Sequence, residues 1–150
     1  MYNIMEKKKK NIFVEGAISP QLIAENIAKH ASKTEIGAHN IFLGQIRADQ
    51  VAGKTVRAIE YTTFEELALD KMVEIREAIF DKYPLTCMHI YHSVGMVNTV
   101  EICLFVFTSS AHRKAAIQAC EEVVERIKKE LPIWGKEIFE DDTHQWKVNN

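Results

Sequence analysis

The clearest pattern of apolar and polar positions in this chain runs from Val100 to Pro132. Val100 to Thr108 is rich in β-branched and aromatic residues, which predicts a buried strand. Ser109 and Ser110 then offer N-caps and Pro132 forbids continuation, so a helix is predicted over residues 111 to 131. Spaced at 100° per residue, Ala116, Ile117, Ala119, Cys120, Val123, Val124 and Ile127 share one apolar arc. His112 and Arg113 fall inside that arc at the helix N-terminus. Lys128 sits on its edge, while Lys114 and Lys129 fall outside it.

The remaining segments alternate between the two periodicities. Ile12-Phe13-Val14 reads as a short strand, and Ser19-Pro20 opens a helix reaching about His30. A strand over 36–46, the polar loop 48–54 and an alternating strand over 55–62 are expected to form a long-looped hairpin. A helix over 64–83 ends before Pro84. Strands at 86–92 and 99–108 flank a turn at Gly95-Met96-Val97-Asn98, and 133–139 with 145–148 form a small C-terminal hairpin. The pattern has no internal repeat and predicts an α+β fold, helices packed on a mainly antiparallel sheet. Residues 1–10, with four consecutive lysines, read as a flexible solvated tail, leaving 11–150 as a single domain.

Composition narrows the function classes. A hydrophobic fraction of 47% with six glycines and three prolines argues against disorder. The net charge of −2 would be more negative still without the tail lysines, which disfavours a nucleic-acid binder. No apolar run approaches about 18 residues and no signal-peptide core is visible, so neither a membrane span nor export is expected. Cys87, Cys103 and Cys120 are odd in number and lack metal-type spacing, which fits a reduced cytoplasmic protein. His89 and His92 lie three apart on a strand and point to opposite faces. His30, His39 and His144 are scattered, so no metal site is expected. Phosphate-loop, dinucleotide-binding and nucleophile-elbow motifs are missing.

An arginine on an apolar helix face needs an anion, because unpaired burial costs several kcal/mol. Free N–H groups and the macrodipole also draw anions to a helix start. Arg113 therefore pairs with either a structural carboxylate or an anionic ligand, and the helix alone does not choose. Lys128 has a bland reading too, since lysine in a last turn complements the macrodipole. His112 and Lys128 are sixteen residues apart, hence separated by about 24 Å along the axis. Both serve one small ligand only if a two-fold dimer brings the start of one helix to the end of its mate.

Taken in order, several short motifs span most of residues 11 to 148. They are Gly37-Ala38, Phe42-x-Gly44-x-x-Arg47, Glu60-Tyr61, His92-x-x-Gly95, Ser110-Ala111-His112-Arg113 and Lys128, followed by Pro132-Ile133-Trp134 and Lys136-Glu137. In this order and spacing the chain resembles the large, catalytic subunit of molybdopterin synthase, the MoaE family. The resemblance implies an α/β hammerhead of the MoaE type and sulfur transfer to cyclic pyranopterin monophosphate, making the dithiolene of molybdopterin. It implies a small ubiquitin-like partner carrying the sulfur as a thiocarboxylate on its C-terminal Gly-Gly. It also implies a homodimer at the centre of a heterotetramer, and no metal or organic cofactor.

Residue roles follow from the same resemblance. Arg47 would bind substrate phosphate or pterin oxygen, as a guanidinium fork suits such anions. His112 and Arg113 would reach the substrate's anionic end from the neighbouring protomer, and Phe42 would supply an apolar wall. Lys128 matches the principal catalytic lysine, acting as general acid/base or as the thiocarboxylate's electrostatic partner. Many family members carry a second lysine directly after the tryptophan, where this chain has Gly135. Lys136 could replace it only if a bulge turned it to the same face. A phosphate- or small-metabolite-binding regulatory module is the alternative reading, and a purely structural dimerisation domain a third.

Overall fold

The computed structural model describes residues 9–148. The tail expected over residues 1–10 therefore lies mostly outside the described residues. At its described end Lys9 is exposed and ion-paired with Asp70. The elements run β1 (Phe13–Glu15), α1 (Pro20–Lys29), β2 (Ala38–Gln45), β3 (Gln50–Val51), β4 (Lys54–Thr63) and α2 (Glu65–Lys82). They continue β5 (Leu85–Asn98), β6 (Ile102–Ser110), α3 (Arg113–Glu130), β7 (Ile133–Phe139) and β8 (His144–Trp146). The sheet order is β2-β6-β5-β4-β7-β8, antiparallel throughout, with β1 added in parallel to β5 and β3 paired to β4.

Alternation along β6 divides the core. Leu104 and Val106 pack with Met72, Ile75 and Ile79 of α2 and with Ala119, Val123 and Ile127 of α3. Phe105 and Phe107 face the other way, against Leu22 and Ile23 of α1. The period of two thus puts α2 and α3 on one sheet face and α1 on the other.

Two expected hairpins differ. β2 does not pair with β4; it runs along β6 from Ala38↔Ser110 to Gln45↔Ile102. The chain then crosses, pinned where Ile46 N–H donates to Glu101 O at 3.0 Å, and only the short β3–β4 ribbon occupies the polar loop. Its Ala52-Gly53 turn has φ of 50° and 79°, the mirror-image geometry that suits two-residue hairpins. The turn expected at 95–98 is also displaced. β5 runs unbroken to Asn98, pairing with β6 up to His92 and with β4 from Gly95 onward. Gly95, at φ 79°, marks that change of partner, and an added Cβ there would meet Glu15 Oε1 at 2.4 Å. The reversal comes at 99–101, with Val100 at φ 68°.

α3 starts two residues later than expected because Ser109 and Ser110 belong to β6. Ser110 still serves the helix end: its hydroxyl donates to His112 O at 2.5 Å and accepts from Ala116 N–H at 3.1 Å. His112 occupies the cap position without a side-chain cap. The expected arc is buried at Ala116, Ala119, Cys120, Val123, Val124 and Ile127. Its N-terminal members are not: Ile117 is 49% exposed, and His112 and Arg113 are exposed. No described group of this chain hydrogen-bonds or ion-pairs their side chains, so burial of Arg113 against its own sheet is corrected. The C-terminal hairpin forms as expected, with β7 paired to both β4 and β8.

Candidate active site

The C-terminal end of α3 meets the sheet where β4, β5, β6 and β7 each contribute a side chain. A narrow cavity of about 40 Å³ lies there, walled by Tyr61, His92, Cys103, Gly135, Lys128 and Lys147 among others. Beside it lie a hollow of about 260 Å³, lined by Phe42, Arg47, Glu137 and both lysines, and one of about 450 Å³ toward Trp146.

Burial sets the electrostatics of the narrow cavity. His92 is 8% exposed and its Nδ1 lies 2.7 Å from Ser93 O, so Nδ1 carries the proton. Charging the ring means protonating Nε2 in a largely buried position, and burial, with the charge of Lys128, pushes its pKa down to about 4. Tyr61 Oη contacts Cys103 Sγ at 3.6 Å, and burial, then Cys103, raises the phenol. Lys128 is exposed along part of its length, yet desolvation of its amine is the largest cause of a lowered pKa, followed by the charge of Lys147. Glu137, 8% exposed, is held by Gln145 Nε2 at 2.9 Å.

Three expected site residues come together: Phe42, Arg47 and Lys128 line the same hollow. Arg47 stands at its rim, 77% exposed, with its fork on both Asp49 oxygens at 3.1 Å. Lys136 is elsewhere. The β4–β7 register is regular from Thr63↔Ile133 to Ala58↔Ile138, so no bulge turns Lys136 toward the cavity. Its amine pairs with Glu60 at 3.2 Å and lies over the Trp146 ring. Gly135 and Glu137 share the cavity-facing side. A Cβ at Gly135 would meet Ile59 Cγ2 at 3.1 Å and Tyr61 Cε1 at 3.3 Å, so the glycine keeps the space before Tyr61 open. His112 and Arg113 lie at the far end of α3, about 24 Å away by helix geometry.

Sequence reasoning missed Tyr61, Glu137 and Lys147 as members of this site, and took Cys103 only as core. It also took His30 as scattered. The fold places His30 Nε2 3.0 Å from His89 Nε2, and the ligand atoms of His30, Cys87 and His89 lie within 4.8 Å of one another. That is the one group among the described residues with a metal-ligand donor set. Each member already has a protein partner: Asn26 O accepts from His30 Nδ1 at 2.6 Å, and Lys33 Nζ donates to Cys87 Sγ at 3.0 Å. Lys10, Lys33 and Arg76 add positive charge that opposes a bound cation.

A sheet roofed by two helices, with lysines gathered where a slot joins a wider hollow, defines an α+β protein built to handle anionic groups. The MoaE protein family model matches residues 17–130, and the chain belongs to that family. It is 39% identical over 122 residues to the molybdopterin synthase catalytic subunit of Bacillus subtilis (strain 168), covering 81% of this chain and 76% of that protein. The crystal structure of molybdopterin synthase from Staphylococcus aureus superposes with TM-score 0.80 at 31% identity, over 95% of this chain and 100% of that one. The complex of subunits 1 and 2 of the molybdopterin-converting factor from Helicobacter pylori shares the fold, with TM-score 0.76 at 18% identity over 89% and 87%.

Proposed function

We propose that this chain is the catalytic subunit of molybdopterin synthase, moving sulfur from a thiocarboxylated small subunit to cyclic pyranopterin monophosphate. The observation that carries the reading is the joining of a narrow lysine-walled cavity to a wider cationic hollow, in a chain of this family. A passage of about 40 Å³ admits an unbranched peptide end such as Gly-Gly, whereas the neighbouring hollows have room for a ring system. Lys128 stands where donor and acceptor meet. Its ammonium pairs with the thiocarboxylate, and burial, which lowers its pKa, makes its proton easier to release. Arg47, released from Asp49, takes substrate phosphate or pterin oxygen, and Phe42 walls the ring.

His112 and Arg113 act from the second protomer of a homodimer at the centre of a heterotetramer. Their exposure together with Ile117, one turn from Arg113, supports an interface over the start of α3. Residues 11–150 form one catalytic domain behind the tail. No helix among the described residues is long and apolar enough to cross a membrane, and with three free, buried cysteines this supports a cytoplasmic setting.

The test is reconstitution. Purified protein, thiocarboxylated small subunit and cyclic pyranopterin monophosphate are mixed, and dithiolene product is measured for wild type and Lys128→Ala. Product from wild type and a loss of about a hundredfold or more in a folded, partner-binding variant is expected. A folded wild type that makes no product and does not bind the small subunit would favour the metabolite-binding reading.

A further inference from the structure

Three hollows surround the end of α3, and Lys128 and Lys147 are the two residues that line all of them. Lys147 is delivered there by the main chain: its N–H donates to Gly135 O at 2.8 Å, holding the segment after β8 against β7. With glycine at 135, no side chain fills the space before Tyr61. The Lys147 residue is half-buried, and among the described residues no hydrogen bond or ion pair engages its amine. A cation held at the wall of a cavity in this way is placed to meet an anion that enters it. Lys136 is the opposite case, its amine already shared between Glu60 and the Trp146 ring.

We infer that Lys147 is a second catalytic cation of this site, contacting the thiocarboxylate of the incoming peptide end across from Lys128. The inference rests on the sulfur-transfer reading above. Two ammonium groups facing one narrow cavity hold the anionic sulfur donor between them and stabilise charge as it moves to the acceptor. The charge of Lys147 also disfavours the protonated form of Lys128, which supplies more neutral amine for proton transfer. The other titratable or charged groups facing Lys128 are Glu125 on its own helix, Cys103 on β6, His92 on β5, Tyr61 on β4, Glu137 on β7, and Arg47 and Asp49 beyond β2.

The experiment compares Lys147→Ala, Lys147→Arg and the surface control Lys129→Ala with wild type, at saturating thiocarboxylated small subunit and across pH. Lys147→Ala is expected to lose at least about tenfold in turnover, with Lys147→Arg recovering most of it and Lys129→Ala unchanged. The acidic limb of the rate profile moves to higher pH in Lys147→Ala, because Lys128 becomes easier to protonate. In protein labelled with 13C-lysine, the Lys128 amine titrates at higher pH in that variant, a readout independent of turnover. Wild-type turnover in Lys147→Ala with an unmoved Lys128 titration overturns the inference. So does a defect that vanishes at saturating partner, which would make Lys147 a docking contact only. A wild type that makes no product overturns the sulfur-transfer reading itself, and the catalytic role with it.

Discussion

Acidification is expected to destabilise this protein in large part through His92. The ring is 8% exposed, its Nδ1 proton is committed to Ser93 O, and its edge meets the Tyr61 and Phe13 rings. A second proton would put charge on a buried ring near the Lys128 ammonium, so burial first, and then Lys128, hold the pKa at about 4 against 6.5 for the free side chain. A folded-state pKa below the unfolded one means that stability is fully present above pH 6.5 and is lost as pH falls toward 4. Two and a half pKa units correspond to about 3 kcal/mol, a large part of a typical domain's stability. The assay is urea unfolding of wild type and His92→Gln between about pH 7 and 4, reading the pH dependence of each. Packing lost in the variant lowers its whole curve, and the depressed His89 contributes to both proteins, so the difference in slope isolates His92. Wild type should lose about 3 kcal/mol more than the variant over this window. Parallel curves would refute the reasoning, since they would mean that His92 charges in the folded state without penalty.

Two further substitutions test the geometry. In Gly37→Ala the new Cβ would lie 2.2 Å from Ala111 O, a backbone atom fixed by the Gly37 N–H to Ser110 O bond. Overpacking of this kind costs about 1–3 kcal/mol, so calorimetry should show a melting temperature lower by roughly 3–10 °C; an unchanged transition would mean that β2 and the start of α3 are not so closely apposed. Lys136→Ala removes a surface pair with Glu60 worth less than about 1 kcal/mol. Turnover within about twofold of wild type is expected in the reconstituted assay, and a loss comparable to that of Lys128→Ala would return Lys136 to the active site.

Local signals in the sequence located the helices well. Ser19-Pro20 caps α1, Pro84 and Pro132 stop α2 and α3, and the helical period of α3 is plain in its own segment. Pairing was harder to read, because it depends on partners distant in sequence. β2 resembles half of a hairpin with β4 only because the two are consecutive, whereas its register belongs to β6. Gly95 reads as a turn residue, yet its left-handed backbone serves a strand that changes partners. The site was legible where one motif carried a charged group, as at Arg47 and Lys128. Tyr61 and Glu137 stood in motifs without a site role, and Cys103 and Lys147 look ordinary in their own segments; only the fold brings these four segments together. Among them Lys147 left the faintest trace, following Trp146 just past the last strand.

Arg113 shows how a correct helical wheel can give a wrong environment. The wheel places Arg113 and Ile117 on the arc that Val123, Val124 and Ile127 bury, yet in the first turns β6 covers only Ala116, whose carbonyl accepts from Thr108 Oγ1 at 2.7 Å, and leaves Arg113 and Ile117 exposed. A flank of the arc that its own sheet leaves uncovered is surface for another chain, and this exposed end carries a histidine, an arginine and an isoleucine. The opposite end of the same helix reaches the lysine-lined cavity. Since about 24 Å separates the two ends, anion-binding groups at one can assist chemistry at the other only between protomers. Under the roles proposed above, the free end of the helix supplies a neighbour's site while its other end completes its own, and activity then requires the dimer. Arg113→Ala protomers mixed with Lys128→Ala protomers should therefore regain part of the lost turnover, because one site in the mixed dimer keeps both residues. Mixtures no more active than either parent, with subunit exchange demonstrated, would refute a site shared across the dimer.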